Sequence, residues 1–389
     1  MNTSWWRKSS ELDSDQLEFL KFKPEGRYLL DGPPGSGKTN LLLLRAKFLH
    51  LKNFKNVLVI TYTNTLSDFI KSGIIESKDL PVDQIKTFHS WALSYIRTNG
   101  GHIELKQDGF TEETRAQILV ELKRINDKVL KQTASIYSAI LVDEAQDFTQ
   151  EELFELLRLS PNFCICGDNR QGIFKKDGLS VASQFPGVIQ KTLKTHYRIG
   201  PRIAEVAERQ CPSPEGQRSL IDTSNYNKTI SGESTAELHV CADRDEQFAL
   251  MMKWLLLHMD AFPDEALGVL CVNQKTRNEL RDRFHASNLK NLTCFHGMET
   301  GASFSSQDVR IHIMTIYSAK GAEFRSVHIF GAEDFAVGPA QRTSLGYTAI
   351  TRAKTALHAY VTGKTAPAFL AAFSAPRHVE VDALFPEKG

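Results

Sequence analysis

The 389-residue sequence predicts an α/β chain of two lobes, each built on a parallel sheet. Three observations predict it. A glycine-rich turn, Gly32-Pro33-Pro34-Gly35-Ser36-Gly37-Lys38-Thr39, sits between a short apolar run, Arg27-Tyr28-Leu29-Leu30, and a longer one from Asn40 to Leu49. Short apolar strands then alternate with helical stretches as far as Pro186, the pattern of a doubly wound lobe. The alternation resumes beyond Lys191 and ends near Val361. The expected lobes are residues 1–190 and 191–389, with a small helical insertion at about 93–135 in the first.

Composition narrows the class. The chain is 41% hydrophobic and 24% charged, an ordinary globular mixture. A formal net charge of +1 excludes a surface that is basic all over, so a nucleic-acid site has to be a local groove. The six cysteines show no C-x-x-C and no zinc spacing, which reads as a reduced, intracellular protein. No signal-peptide core or membrane-length apolar run is visible, so the expected location is cytoplasmic, with no membrane partner.

The glycine-rich turn reads G-x-x-x-x-G-K-[ST], the phosphate-cradling loop of nucleoside triphosphatases. Glycines let successive backbone N–H groups turn inward around an anion. Lys38 is a flexible point charge for the β- and γ-phosphates, and the Thr39 hydroxyl can ligate Mg²⁺. The helix starting here aims its positive end at the phosphates. The expected cradle comprises Gly32, Pro33, Pro34, Gly35, Ser36, Gly37, Lys38, Thr39 and Asn40, and the expected cofactors are ATP and Mg²⁺. Upstream, Asp13 or Ser14 caps a short amphipathic helix bearing Gln16. The Gln16 amide matches the N6/N7 edge of adenine, although alone it reads as an ordinary surface glutamine.

Downstream, Asn56 to Tyr62 is a buried-strand pattern that runs into a loop and a helix start. Gln84 to Ala92 is a strand end opening a helix, Asn99-Gly100-Gly101 is a break, and 107–131 reads as one or two polar helices. The strand at 139–142 ends in Asp143 and Glu144. The first carboxylate suits Mg²⁺, and the second can orient and deprotonate a water. Asn162 to Gln171 is another buried strand with a polar end. Polar and aromatic groups thus gather at strand C-terminal ends, the ligand-binding edge of an open parallel sheet. In the second half, a helix begins at Pro201 and 211–236 is a loop or small hairpin. Strands are expected at 238–240, 267–272, 311–316, 326–331 and 357–361, and helices at 244–259, 276–284 and 343–353. His285 and His296 read as isolated surface or core histidines.

Taken together, these stretches resemble the UvrD/Rep/PcrA-type superfamily 1 DNA helicases, in the family's motif order from Leu12 to Val361. The resemblance implies two RecA-like P-loop NTPase lobes with parallel sheets, ATP in the cleft between them, and single-stranded DNA crossing both, with motion 3′ to 5′. It assigns Gln16 to adenine, Asp143 to Mg²⁺, Glu144 to the catalytic base and Gln171 to γ-phosphate sensing. Tyr197 would stack on adenine, Arg198 and Arg352 would serve as arginine fingers, and Gly321 and Glu323 would touch nucleotide and DNA. An arginine finger is worth about 10³ to 10⁵ in rate, and supplying it from the far lobe makes hydrolysis depend on closure. Tyr62, Thr63 and Asn64 match one DNA-contacting motif and Thr87, Phe88, His89 and Ser90 another. Taken alone, each of these reads as a residue that merely caps a helix.

Departures qualify the resemblance. After Gln171 the run is Gly172-Ile173-Phe174-Lys175-Lys176: Phe174 keeps one DNA platform, while Lys176 replaces the usual tryptophan and can recover part of its hold as a phosphate contact. Tyr317 replaces a usual histidine on the DNA side, His196 an asparagine and Ala322 a leucine. Both insertions of the family are reduced, the second to a loop. The expected function is therefore an ATP-dependent, single-strand-DNA-stimulated translocase or helicase. It is expected to act with a protein partner such as a nuclease, in DNA repair or phage defence. A regulatory ATPase switch gated by DNA or a partner is the alternative, and an RNA helicase the third reading.

Overall fold

The computed structural model describes residues 9–62, 67, 81–104, 111–174, 176–298 and 309–374. Among the described residues, two six-stranded, all-parallel sheets form the framework of the protein. The first contains β1 (Arg27–Asp31), β2 (Val57–Thr61), β3 (Ile85–Thr87), β4 (Ala139–Val142), β5 (Phe163–Gly167) and β6 (Val188–Thr192), in the order β3-β2-β4-β5-β1-β6. Strands β2, β4 and β5 are buried at every residue, because helices cover both faces. Those helices are α1 (Ser14–Leu20), α2 (Lys38–Leu51), α3 (Phe88–Thr98), α4 (Glu112–Val129) and α5 (Gln150–Leu157). Helix α2 buries Leu41, Leu42, Leu43, Ala46 and Leu49, so it is apolar on more than one face. At roughly 1.5–3 kcal/mol per fully buried leucine, this packing seats the glycine-rich turn rigidly at the head of α2.

The second sheet contains β7 (Thr235–Cys241), β8 (Leu267–Cys271), β9 (Thr293–Phe295), β10 (Ile311–Thr315), β11 (Phe324–Ile329) and β12 (Ala353–Thr362), in the order β7-β12-β11-β8-β10-β9. Its helices are α6 (Pro201–Gln210), α7 (Lys228–Ser231), α8 (Arg244–Ala261), α9 (Gln274–His285), α10 (Thr343–Ile350) and α11 (Pro367–Phe373). Among the described residues no helix is long and apolar enough to cross a membrane.

Four details differ from the sequence reading. Strand β6 pairs with β1 through Thr192, so the first sheet extends past the expected boundary at 190. It was illegible because it is an edge strand with exposed and half-buried positions rather than an apolar run. Helix α10 stops at Ile350 and β12 starts at Ala353, which leaves Arg352 on the turn before the strand, not within a helix. The 211–236 stretch, expected as a loop or small hairpin, is mostly loop, with the short helix α7 within it and β7 starting at Thr235. His296 is not isolated: its Nε2 lies 2.9 Å from His312 Nδ1, and Cys294 joins the cluster. The stretch 299–308, expected to be a bare loop, lies outside the described residues, as do Thr63 and Asn64.

Candidate active site and nucleic-acid interface

The strand ends of the first sheet converge on the glycine-rich turn. Gly35 and Gly37 hold φ of 81° and 86°, a left-handed conformation that a side chain strains. A Cβ on Gly35 would approach Arg198 and His196, and one on Gly37 would lie 3.1 Å from Gln16 Nε2, so the loop is also closed in from behind. Lys38 is buried, and its ammonium donates to the carbonyls of Gly32 (2.8 Å) and Pro33 (3.0 Å), curling back over the loop. Thr39 Oγ1 donates to Asp143 Oδ2 at 2.7 Å, placing a hydroxyl and a carboxylate together as Mg²⁺ ligands would need. Asn40 stands one residue on in α2, while Pro33 and Pro34 shape the loop entry. The buried Ser36 Oγ has no hydrogen-bond partner among the described residues. Left-handed glycines, a buried lysine, an unpartnered hydroxyl and the Thr39–Asp143 pair fit a Mg²⁺-bound triphosphate.

Gln16 is buried beside this loop and already engaged at both ends. Its Oε1 accepts from Asp13 N in a capping box, and its Nε2 donates 2.9 Å to Ser36 O. It positions the loop, and reading adenine would require exchanging these bonds.

The two adjacent carboxylates differ in environment. Burial, then the neighbouring Glu144 charge, raises the Asp143 carboxyl above its usual range. Burial also pushes Glu144 upward, but Lys320, Arg352 and Lys38 together outweigh it and hold this carboxyl low, in the form a base requires. Glu144 sits at φ 53°, a left-handed strain of about 1–3 kcal/mol for a non-glycine residue, of the kind functional sites hold in place. Its own amide donates 2.9 Å to Asp143 Oδ1, and Gln146 Nε2 donates 2.5 Å to its carboxylate.

The second lobe answers with cations. Arg352 Nη2 donates to Gln171 Oε1, and Gln171 Nε2 donates 3.0 Å to Asp168 Oδ2. Arg198 ion-pairs with Glu323, and Tyr197 N–H reaches Gly35 O at 3.2 Å, so this segment lies directly against the phosphate loop. Tyr197 OH donates to Asp13, holding the ring at the head of α1. Gly321, at φ 82°, makes the turn before Glu323.

Sequence reasoning missed Lys320. Only 1% exposed, it donates 2.7 Å to Asp147 Oδ1 and 2.5 Å to Gln171 O, and stands 3.7 Å from Glu144. Burial pushes the Asp147 carboxyl up to about 7 even with Lys320 beside it. Its signal was the lysine just before Gly321, within a motif already singled out. Arg170 was missed as well: it bonds Glu208 and Ser213 across the lobes and stacks 4.4 Å from the Tyr347 ring centroid.

Family comparisons fit this cleft at both ends of the chain. An AAA domain matches residues 19–176, and a UvrD-like helicase C-terminal domain matches residues 310–360. The chain is a UvrD-like helicase of superfamily 1. Its two sheets are RecA-like P-loop NTPase lobes, and its enzymatic class is that of an ATPase and helicase. No curated protein matches it. Among solved structures, the C-terminal domain of a possible DNA helicase from Lactobacillus plantarum WCFS1 matches at 14% identity and a TM-score of 0.34, over 45% of this chain and 93% of that one. The PRRSV helicase matches at 14% identity and a TM-score of 0.35, over 89% of this chain, which spans 54% of its length.

On the helicase's other expected surface, the rings fall into a row. Tyr62 lies 4.9 Å from Phe174, and Phe174 lies 5.6 Å from Tyr317, centroid to centroid, so the row passes from the first lobe to the second. All three rings are partly exposed. His89 flanks Tyr62 at 6.0 Å, and burial, with Arg115 nearby, lowers its pKa to about 4, leaving it neutral. Arg115, clamped by Glu152, donates 2.8 Å to Tyr62 OH and fixes that ring. Lys176 is held 3.5 Å from Glu112. Two of the expected DNA contacts face inward: Thr87 caps α3, its hydroxyl accepting from Ser90 N, and Phe88 is 1% exposed and packs among Trp91 and Phe148.

Proposed function

We propose that this helicase is an ATP-dependent, single-strand-DNA-stimulated translocase moving 3′ to 5′, with Mg²⁺ held by Thr39 and Asp143. The observation that carries the reading is the segment from Arg170 to Phe174. It leaves β5 in the first lobe and touches three things at once. Gln171 binds Arg352 and Lys320, Ile173 packs into the core of the second lobe, and Phe174 bridges the ring row. Nucleotide state and strand grip therefore share one short piece of backbone.

In this reading the phosphates lie along the glycine-rich turn under Lys38, and Glu144 takes a proton from the attacking water. Arg198 and Arg352 stabilise charge spreading over the γ-phosphoryl oxygens, as arginine fingers do. Bound Mg²⁺ would supply charge neutralisation at the phosphates. Bases stack on Tyr62, Phe174 and Tyr317, each stack contributing about 1–3 kcal/mol. The lobe boundary then falls between Thr192 and Pro201. A protein partner such as a nuclease, and a role in repair or phage defence, belong to the same proposal.

The test is displacement of streptavidin from biotinylated single strands. The reading expects ATP-dependent release from the 5′ end and not from the 3′ end. Release from neither end, with turnover intact, supports the second reading, a DNA- or partner-gated ATPase switch. That reading is favoured by Lys176, which pairs with Glu112 in place of an aromatic platform. RNA strands outperforming DNA in the same assay would contradict both.

A further inference from the structure

The far edge of the second sheet carries a cluster that nucleotide chemistry does not use. Strands β7 and β12 pair in parallel, with Glu237 opposite His358 and His239 opposite Tyr360. Residues two apart on a strand share a face, so Glu237, His239 and His358 project together. Helix α8 covers that face through Trp254, whose ring centroid lies 4.4 Å from that of His358 and 6.2 Å from that of His239.

Three donor atoms converge there. Glu237 Oε2 is 3.6 Å from His239 Nε2 and 3.8 Å from His358 Nδ1, and the two nitrogens share a 2.9 Å hydrogen bond that a bound ion would replace, the donor ring shifting its proton to its other nitrogen. The point equidistant from the three lies about 2 Å from each, which is the length of a zinc–nitrogen or zinc–carboxylate bond. We propose that Glu237, His239 and His358 bind a divalent transition cation, zinc by the chemistry of the donors.

Geometry and access agree. Two imidazoles and one carboxylate suit zinc-type ions, whereas Mg²⁺ prefers oxygen donors alone, so the nucleotide's own metal does not compete. Burial lowers the pKa of both histidines, keeping them in the neutral form that ligates. The Glu237 side chain is 45% exposed, so an ion can enter from solvent and keep a water as its fourth ligand. The position gives the ion a purpose. Strand β7 is an edge strand with alternating exposed residues, weakly held in register by its own pattern. A cation shared by β7 and β12 would pin that edge to the strand that follows Arg352.

The test uses the full chain, stripped with chelator, loaded with Zn²⁺ or Co²⁺ and passed through gel filtration. The proposal expects about one retained equivalent, a tetrahedral Co²⁺ absorption band without a thiolate charge-transfer band, and a rise in melting temperature. Glu237→Gln, at a half-exposed position that tolerates change, should weaken retention at least about tenfold and abolish the melting shift, and His239→Gln should do the same. Basal ATP hydrolysis of the metal-free variants should match the metal-free wild type. Three results would overturn it: no retained ion; retention unchanged in both variants; or a thiolate band, which would place the ion at the buried Cys294, His296 and His312 cluster on β9 and β10.

Discussion

The two lobes build similar parallel sheets but bring opposite charge to the cleft. The first places Asp143, Glu144, Asp147 and Asp168 at the ends of β4 and β5, around Lys38. The second contributes Arg198, Lys320 and Arg352. Neither set is complete alone. Glu144 is buried and is held in its ionised form mainly by Lys320 and Arg352, and those two cations are themselves too deeply buried to stand unpaired. The difference teaches that Glu144, the proposed catalytic base, is tuned by the far lobe, because Lys320 and Arg352 are the charges that lower its pKa most.

Substitutions can break this complementarity at graded depth. Lys38→Ala should abolish ATP hydrolysis, since its ammonium is the charge that lies over the loop carbonyls of Gly32 and Pro33; steady-state turnover near wild type would remove the phosphate-loop assignment. Arg352→Ala should lower kcat by about 10³ while the Kd of a fluorescent ATP analogue changes little. Equal losses in both would make it a binding residue instead. Lys320→Met leaves Asp147 buried and uncompensated, so stability should fall by about 3–5 kcal/mol in urea unfolding. A loss below about 1 kcal/mol would show that the ion pair does not tie the lobes.

Acid should separate the lobes more gently. Burial lowers the pKa of His196 and His258 to about 4 and of His312 to about 3. Folded values below the unfolded value of about 6.5 mean that the unfolded chain takes up protons first. The stability tied to these neutral rings is present above that value and is lost as pH falls toward 3–4. From pH 7 to 5 the loss is about 2 kcal/mol per histidine. The first lobe has only His89 of this kind among the described residues. Hydrogen exchange corrected for intrinsic rates should therefore show the second lobe opening first at pH 5; earlier opening of the first lobe would contradict this.

The candidate nucleotide site was largely legible in the sequence because its signals are local. The glycines, Lys38 and Thr39 are contiguous, and Asp143 and Glu144 close an unbroken apolar strand. What stayed hidden depends on distant pairing. Lys320 is one residue among many lysines until the fold sets it against Asp147. Phe88 looked like a base platform because its motif says nothing about which side of α3 faces the core. Strand β6 escaped notice because an edge position removes the apolar pattern that marks a buried strand. The ring row joins residues from both halves of the chain, and no spacing rule predicts such a row.

The most direct test of coupling between cleft and ring row is ATP hydrolysis with and without single-stranded DNA, in the wild type and in Phe174→Ala. The account predicts strong stimulation of the wild type. The variant should keep basal turnover, bind the strand roughly 5- to 150-fold more weakly, and lose stimulation even when the strand is saturating. Equal stimulation of the two proteins, or none in the wild type, would contradict it.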